Sequence, residues 1–283
     1  MRIERVGVVG CGQMGGGIAQ VFAQAGFPVV VLESTSALLD KGLGRIADQW
    51  ARGVEKGRLS EEDRRLFQGR LTGTLDFAAF ADRDLVIEAI VEQLGPKQEV
   101  FAQLDRLVKP DAILVSNTSS LPVMEIAAAT KRPDRVAGMH FFNPVPVMRI
   151  VELVRTIVTS DETLETLRST AEALGKTVVS AKDTPGFIVN LLLIPYLLDA
   201  IRACEHGTAS RDDIDTAMKL GCGLPMGPLT LADFIGLDTV LYIADVLLGE
   251  LHQEKYGAPP LLRRMVTAGM LGRKSGCGFY DYA

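Results

Sequence analysis

The sequence predicts an α/β chain: a doubly wound, mostly parallel sheet followed by an all-α unit. Three observations carry this. Short apolar runs alternate with helical patterns along the first part of the chain. A glycine-rich turn joins the first such run to the first helical pattern. From Lys182-Asp183-Thr184-Pro185-Gly186 onward strand signals largely stop and apolar residues recur at helical spacing. The boundary is placed there, with residues 1–182 as the first domain and 183–283 as the second.

Val6-Gly7-Val8-Val9 reads as a strand buried on both faces. Gly10-Cys11-Gly12-Gln13-Met14-Gly15 follows, and then Ile18, Val21, Phe22 and Ala25 recur at helical spacing. Gly26 stops that helix, and Val29-Val30-Val31-Leu32 forms a second strand ending at Glu33. Strand, Gly-x-Gly-x-x-Gly, helix, strand and acid make one Rossmann-type dinucleotide unit. Gly10 makes the tight turn, Gly12 admits a pyrophosphate, and Gly15 lets helix and strand pack closely. The helix N-terminus then presents N–H groups to the phosphates. Glu33 is placed for the adenosine ribose hydroxyls. Its charge repels a 2′-phosphate, and Ser34-Thr35-Ser36-Ala37 brings no Arg, so NAD is favoured over NADP.

From Ala37 to Arg70 the pattern is helical and charged. Arg52 and Lys56 stand four apart and share a face, near Lys41, Arg45 and Arg58. They read as a solvated surface or as a basic face for an anionic ligand such as the phosphates of a CoA tail. Trp50 lies beside this face in sequence. Asp84 to Ile90 is a third strand; Glu92 and Lys97 follow it at the ligand edge, where Lys97 either reaches a nicotinamide ribose or is solvated. After the strand Ala112–Ser116, Asn117-Thr118-Ser119-Ser120 reads as a capped loop or as donors to a substrate oxygen.

Met139 to Glu152 reads as strand, turn, strand, with Pro144 and Pro146 in the turn. A hairpin of that length brings His140 and Glu152 together. A carboxylate beside an imidazole orients the ring and stabilises the imidazolium, as proton removal from an alcohol requires. The plainer reading is a core histidine and a solvated strand charge. A short helix around 163–174 and a strand at 177–180 close the domain. Helical patterns then cover Phe187 to His206, Asp212 to Leu220, Leu229 to Gly249 and Pro260 to Ala268. Asn190, an amide in an apolar stretch, needs a partner in backbone or substrate. The glycine-rich turn Gly272 to Tyr280 carries Lys274.

With 47% hydrophobic and 23% charged residues the chain is an ordinary globular one. Its formal net charge of −5 gives no reason to expect nucleic-acid binding. Four scattered cysteines suit a reducing cytoplasm, and no zinc spacing or membrane span is visible. The start, Met1-Arg2-Ile3-Glu4-Arg5, runs straight into a strand, so no leader is expected.

Nearly the whole chain resembles the L-3-hydroxyacyl-CoA dehydrogenase family, and within it the bacterial 3-hydroxybutyryl-CoA branch. The blocks are the glycine motif through Ala19, Ser116-Asn117-Thr118-Ser119-Ser120, His140-Phe141-Phe142-Asn143-Pro144, Val151-Glu152, Asp183 to Asn190, Met226-Gly227-Pro228 and Gly272 to Tyr280. The resemblance implies NAD-dependent, reversible oxidation of (3S)-3-hydroxyacyl-CoA. It implies His140 as base with Glu152 as its partner, and Ser119 and Asn190 on the substrate oxygen. Asn143 falls near substrate and nicotinamide. Gly10, Gly12, Gln13, Met14, Gly15, Glu33, Glu92, Lys97 and Lys274 fall around NAD, and Arg52 and Lys56 at the CoA phosphates. The family usually has Asp where Glu33 stands, and Lys is found where Arg52 stands. The helical domain is expected to form a homodimer. The rival readings are a dehydrogenase of a non-CoA hydroxy acid and a non-catalytic NAD-binding protein.

Overall fold

The computed structural model describes residues 1–282. It divides into two compact units, Met1–Thr184 and the chain from Pro185 on.

In the first unit β1 (Val6–Val9) runs into α1 (Gln13–Gln24), and β2 (Val29–Leu32) into α2 (Ser36–Glu55) and α3 (Glu61–Gly69). Thr35 caps α2 by accepting from Leu38 N, and Ser60 with Asp63 forms a capping box on α3. Then come β3 (Leu71–Thr74), β4 (Leu85–Glu88), α4 (Leu94–Leu107), β5 (Ile113–Ser116) and the short α5 (Val123–Ala127). β6 (Val136–Phe141), β7 (Ile150–Arg155), α6 (Asp161–Ala173) and β8 (Thr177–Lys182) complete the unit.

The eight strands make one sheet in the order β3-β2-β1-β4-β5-β6-β7-β8. All neighbours are parallel except β6 and β7. Strand order reverses between β1 and β4, the switch point at which such sheets take ligands. Val8, Val31, Ile87, Val115 and Met139 join Ile18, Phe22, Ile46 and Leu167 in one core on one face. Gly138, one residue before Met139, points the other way. A Cβ there would meet Val123 of α5 at 3.1 Å, so helices cover both faces.

β3 carries the half-exposed Leu-Thr-Gly-Thr, an edge strand with no apolar run to announce it. Trp50 is 1% exposed and packs its ring against Phe67 of α3, with centroids 5.8 Å apart, so it lies beneath α2 rather than on the basic face.

The second unit is helical: α7 (Val189–Glu205), α8 (Arg211–Cys222), α9 (Pro228–Ile235), α10 (Leu237–Leu251) and α11 (Pro260–Thr267). The single helix expected from Leu229 to Gly249 is two helices, because Gly236 at φ +102° breaks it. Leu197, Leu198, Leu229, Val240, Ala244 and Leu262 form its core. Two buried carboxylates tie the segments together. Asp215 accepts from Leu229 N and Thr230 N, and Asp233 from Phe279 N and Tyr280 N. Among the described residues no helix is long and apolar enough to cross a membrane.

Candidate active site

The carboxyl ends of β1, β4, β5 and β6 bring most of the first unit's expected residues to one sheet edge. Gly10 has φ +96°, and a Cβ on it would stand 2.6 Å from Ala89 O. A Cβ on Gly15 would lie 2.0 Å from Gly10 O, so only glycine closes this turn. A Cβ on Gly12 would meet nothing within 4 Å, and no side chain caps α1. An uncapped helix N-terminus beside open space fits a pyrophosphate. Gln13 is exposed there and donates from Nε2 to Asn143 Oδ1 at 3.0 Å; Met14 packs against the core.

Glu33 stands at the end of β2 across from this loop. Its Oε1 accepts from Cys11 N at 2.6 Å and its Oε2 from Ser34 N at 3.1 Å. The carboxylate is thus fixed by its own loop, with lone pairs left for ribose hydroxyls. Arg45, which sequence reading placed only among the basic residues of α2, donates from its guanidinium to Cys11 O at 2.7 Å. It ties α2 to the glycine loop. Arg52 and Lys56 are exposed on α2 and at its end.

At the ends of β4 and β5 lies a buried polar network. Lys97 is 1% exposed, which excludes the solvated reading. Its ammonium stands 2.7 Å from Glu88 Oε1 and 3.2 Å from Glu92 Oε2. Glu88 also accepts from Ile90 N and Ser116 Oγ. Glu92 accepts from Thr118 Oγ1 at 2.6 Å and Ser119 N at 2.8 Å. Burial alone would raise the Glu92 carboxyl. The Lys97 ammonium and the Thr118 and Ser119 donors outweigh it and hold the group below its ordinary range. Glu88 carries no sign of this role in the sequence; it, Ser116 and Thr118 act inside the edge, where Thr118 Oγ1 donates to Glu92 and Ser116 Oγ to Glu88. Ser120 caps nothing, since α5 begins after Pro122. Its first N–H groups, of Val123 and Met124, donate to Asp183 at 2.9 and 2.7 Å.

His140 and Glu152 face one another across the antiparallel β6–β7 pair. His140 Nδ1 lies 2.6 Å from Glu152 Oε2, with the histidine 6% exposed and the glutamate fully buried. A carboxylate accepts, so Nδ1 is the ring nitrogen that faces Glu152, and Nε2 is the one turned away from it. Asn117 Oδ1 accepts from Phe141 N at 2.9 Å, tying the serine-rich loop to the histidine strand. In the second unit Asn190 is the second residue of α7, and Lys274 pairs with Asp238 at 2.5 Å.

A glycine-rich dinucleotide loop and an imidazole–carboxylate pair on the same edge define a nicotinamide-dependent oxidoreductase. Residues 5–184 match the family model described as 3-hydroxyacyl-CoA dehydrogenase, NAD binding domain. Residues 186–282 match that of the 3-hydroxyacyl-CoA dehydrogenase C-terminal domain. The chain belongs to the 3-hydroxyacyl-CoA dehydrogenase family, and its dinucleotide is NAD. It is 54% identical over 282 residues to a 3-hydroxybutyryl-CoA dehydrogenase of Mycobacterium tuberculosis, covering 99% of each chain. It is 46% identical to the human mitochondrial hydroxyacyl-coenzyme A dehydrogenase, over 99% of this chain and 91% of that one. The crystal structure of M. tuberculosis FadB2 superposes with a TM-score of 0.97 at 53% identity, covering 100% of both chains.

Proposed function

We propose that the chain catalyses reversible oxidation of (3S)-3-hydroxyacyl-CoA to 3-oxoacyl-CoA, with 3-hydroxybutyryl-CoA as its particular substrate. The observation that carries this is the buried His140–Glu152 contact at the dinucleotide edge. Bound NAD would supply the hydride acceptor for C3 in oxidation, and its reduced form the hydride donor in reduction. His140 Nε2 accepts the hydroxyl proton, and Glu152 holds the ring and stabilises the imidazolium. In reduction the imidazolium gives the proton back. Ser119, Asn190 and Asn143 hold the oxygen and the reacting carbon in register. The glycine loop (Gly10, Gly12, Gln13, Met14, Gly15), Glu33, Glu92, Lys97 and Lys274 bind the dinucleotide. Arg52 and Lys56 receive the CoA phosphates as point charges on one helix face.

Exposed apolar side chains of the helical unit, including Leu192 at 67% and Leu220 at 80%, support a homodimer formed through that unit. Light scattering that gives one protomer's mass at micromolar concentration overturns it. The free cysteines suit the cytoplasm.

The substrate reading is tested by comparing acetoacetyl-CoA with acetoacetyl-N-acetylcysteamine, a thioester without the CoA tail. Turnover of both, with KM lower for the CoA ester and raised toward the short thioester in the Arg52→Ala/Lys56→Ala variant, supports it. Equal KM values for the two thioesters point to a non-CoA substrate.

A further inference from the structure

Lys176 is a buried cation that the proposed chemistry does not use. It lies between α6 and β8 and is 7% exposed. Burial pushes its ammonium below the ordinary lysine range, and no charged side chain counters this. An ammonium taken out of water is costly unless its hydrogens are satisfied. Both of its acceptors come from one short turn: Nζ donates to Val145 O at 2.6 Å and to Met148 O at 2.7 Å.

That turn connects the histidine strand to the glutamate strand. It begins at Asn143, whose Oδ1 accepts from Gln13 of the glycine loop. Val145 is buried against α1, where a Cβ on Gly17 would stand 2.9 Å from Val145 Cβ. Within the turn, Val147 N and Met148 N both donate to Pro144 O at 3.0 Å, and that fold aims the Val145 and Met148 carbonyls at Lys176. Thr177 N, the next residue of the chain, donates to Arg149 O at 2.7 Å. The ammonium therefore gathers one side of the turn while Asn143 is held on the other.

We infer that Lys176 is a positioning residue for the reaction: its ammonium clamps the 143–149 turn so that Asn143 stands in register with the glycine loop and His140. The inference rests on the reading of Asn143 as a residue at the nicotinamide and substrate. Misplacement of a positioned group by about an ångström costs on the order of a hundredfold in rate.

A double-mutant cycle on NADH-dependent reduction of acetoacetyl-CoA tests it. Lys176→Met keeps the aliphatic length and removes the clamp. Lys176→Gln, which retains a donor without the charge, serves the same cycle if the first variant does not fold. We expect Lys176→Met and Asn143→Ala each to lower kcat/KM by about 10- to 100-fold, and the double variant to be no slower than the slower single one. A thermal midpoint that falls while kcat/KM stays at the wild-type value overturns the inference. So do effects that multiply in the double variant. Unchanged turnover in Asn143→Ala alone overturns the reading of Asn143 itself, which the other arms then no longer support.

Discussion

His140 and Glu152 are direct cross-strand partners, and their side chains meet at 2.6 Å in a site closed to solvent on the glutamate's side. Directly opposed residues on an antiparallel pair have neighbouring Cβ atoms on the same face. A slip of one residue would send the two side chains to opposite faces. The register of one hairpin therefore sets the imidazole–carboxylate contact on which the proposed acid–base chemistry rests.

Glu152→Gln should lower kcat by about a hundredfold or more while leaving the affinity for NADH within a few-fold of wild type. The amide preserves size but removes the charge that favours the imidazolium. Steady-state kinetics with an independent NADH fluorescence titration checks this.

Gly12 and Gly15 should respond differently to the same methyl group. Gly12→Ala meets open space in the protein, so the thermal midpoint should hold while NADH binding weakens by about tenfold or more, the equivalent of about 1.4 kcal/mol. Gly15→Ala collides with the Gly10 carbonyl and should lower the midpoint as well. Scanning calorimetry and titration on both variants separate a ligand role from a packing role.

The depressed Glu92 carboxyl gives a pH signature. Its folded pKa lies below the unfolded one. Its contribution to stability is therefore present above about pH 4.3, the usual unfolded value, and is lost as pH falls through the folded pKa. Denaturant unfolding should show Glu92→Gln less stable than wild type near neutrality, with the gap narrowing below that point. A constant gap across the acid range contradicts the shift.

Burial, reinforced by Glu33 and partly offset by Arg45, pushes the Cys11 thiol up to about 11. The thiolate is the reactive form. Iodoacetamide at mildly alkaline pH should label the exposed Cys222 and spare Cys11 in the native protein, as read by peptide mass spectrometry.

The sequence made visible those parts whose chemistry is local. The glycine loop is one βαβ unit in a row, and the prolines between two apolar runs mark the β6–β7 hairpin. What stayed hidden depends on long side chains reaching distant backbone. Arg45 finds the Cys11 carbonyl 34 residues away, and Lys176 the Val145 carbonyl 31 residues away. A lone charged residue carries no local sign of such a contact. Lys97 reads equally well in sequence as a solvated helix residue, and only the fold sets the buried Glu88 beside it. β3 has no apolar run because it lies at the sheet edge, and the break at Gly236 hides in a stretch whose apolar spacing runs straight through it.

The most direct test of the central claim is the rate of NADH oxidation with acetoacetyl-CoA, measured side by side for wild type and His140→Ala. Fast turnover is expected in wild type and a loss of about two to four orders of magnitude in the variant, with NADH still bound. A His140→Ala enzyme that turns over within a few-fold of wild type would contradict it.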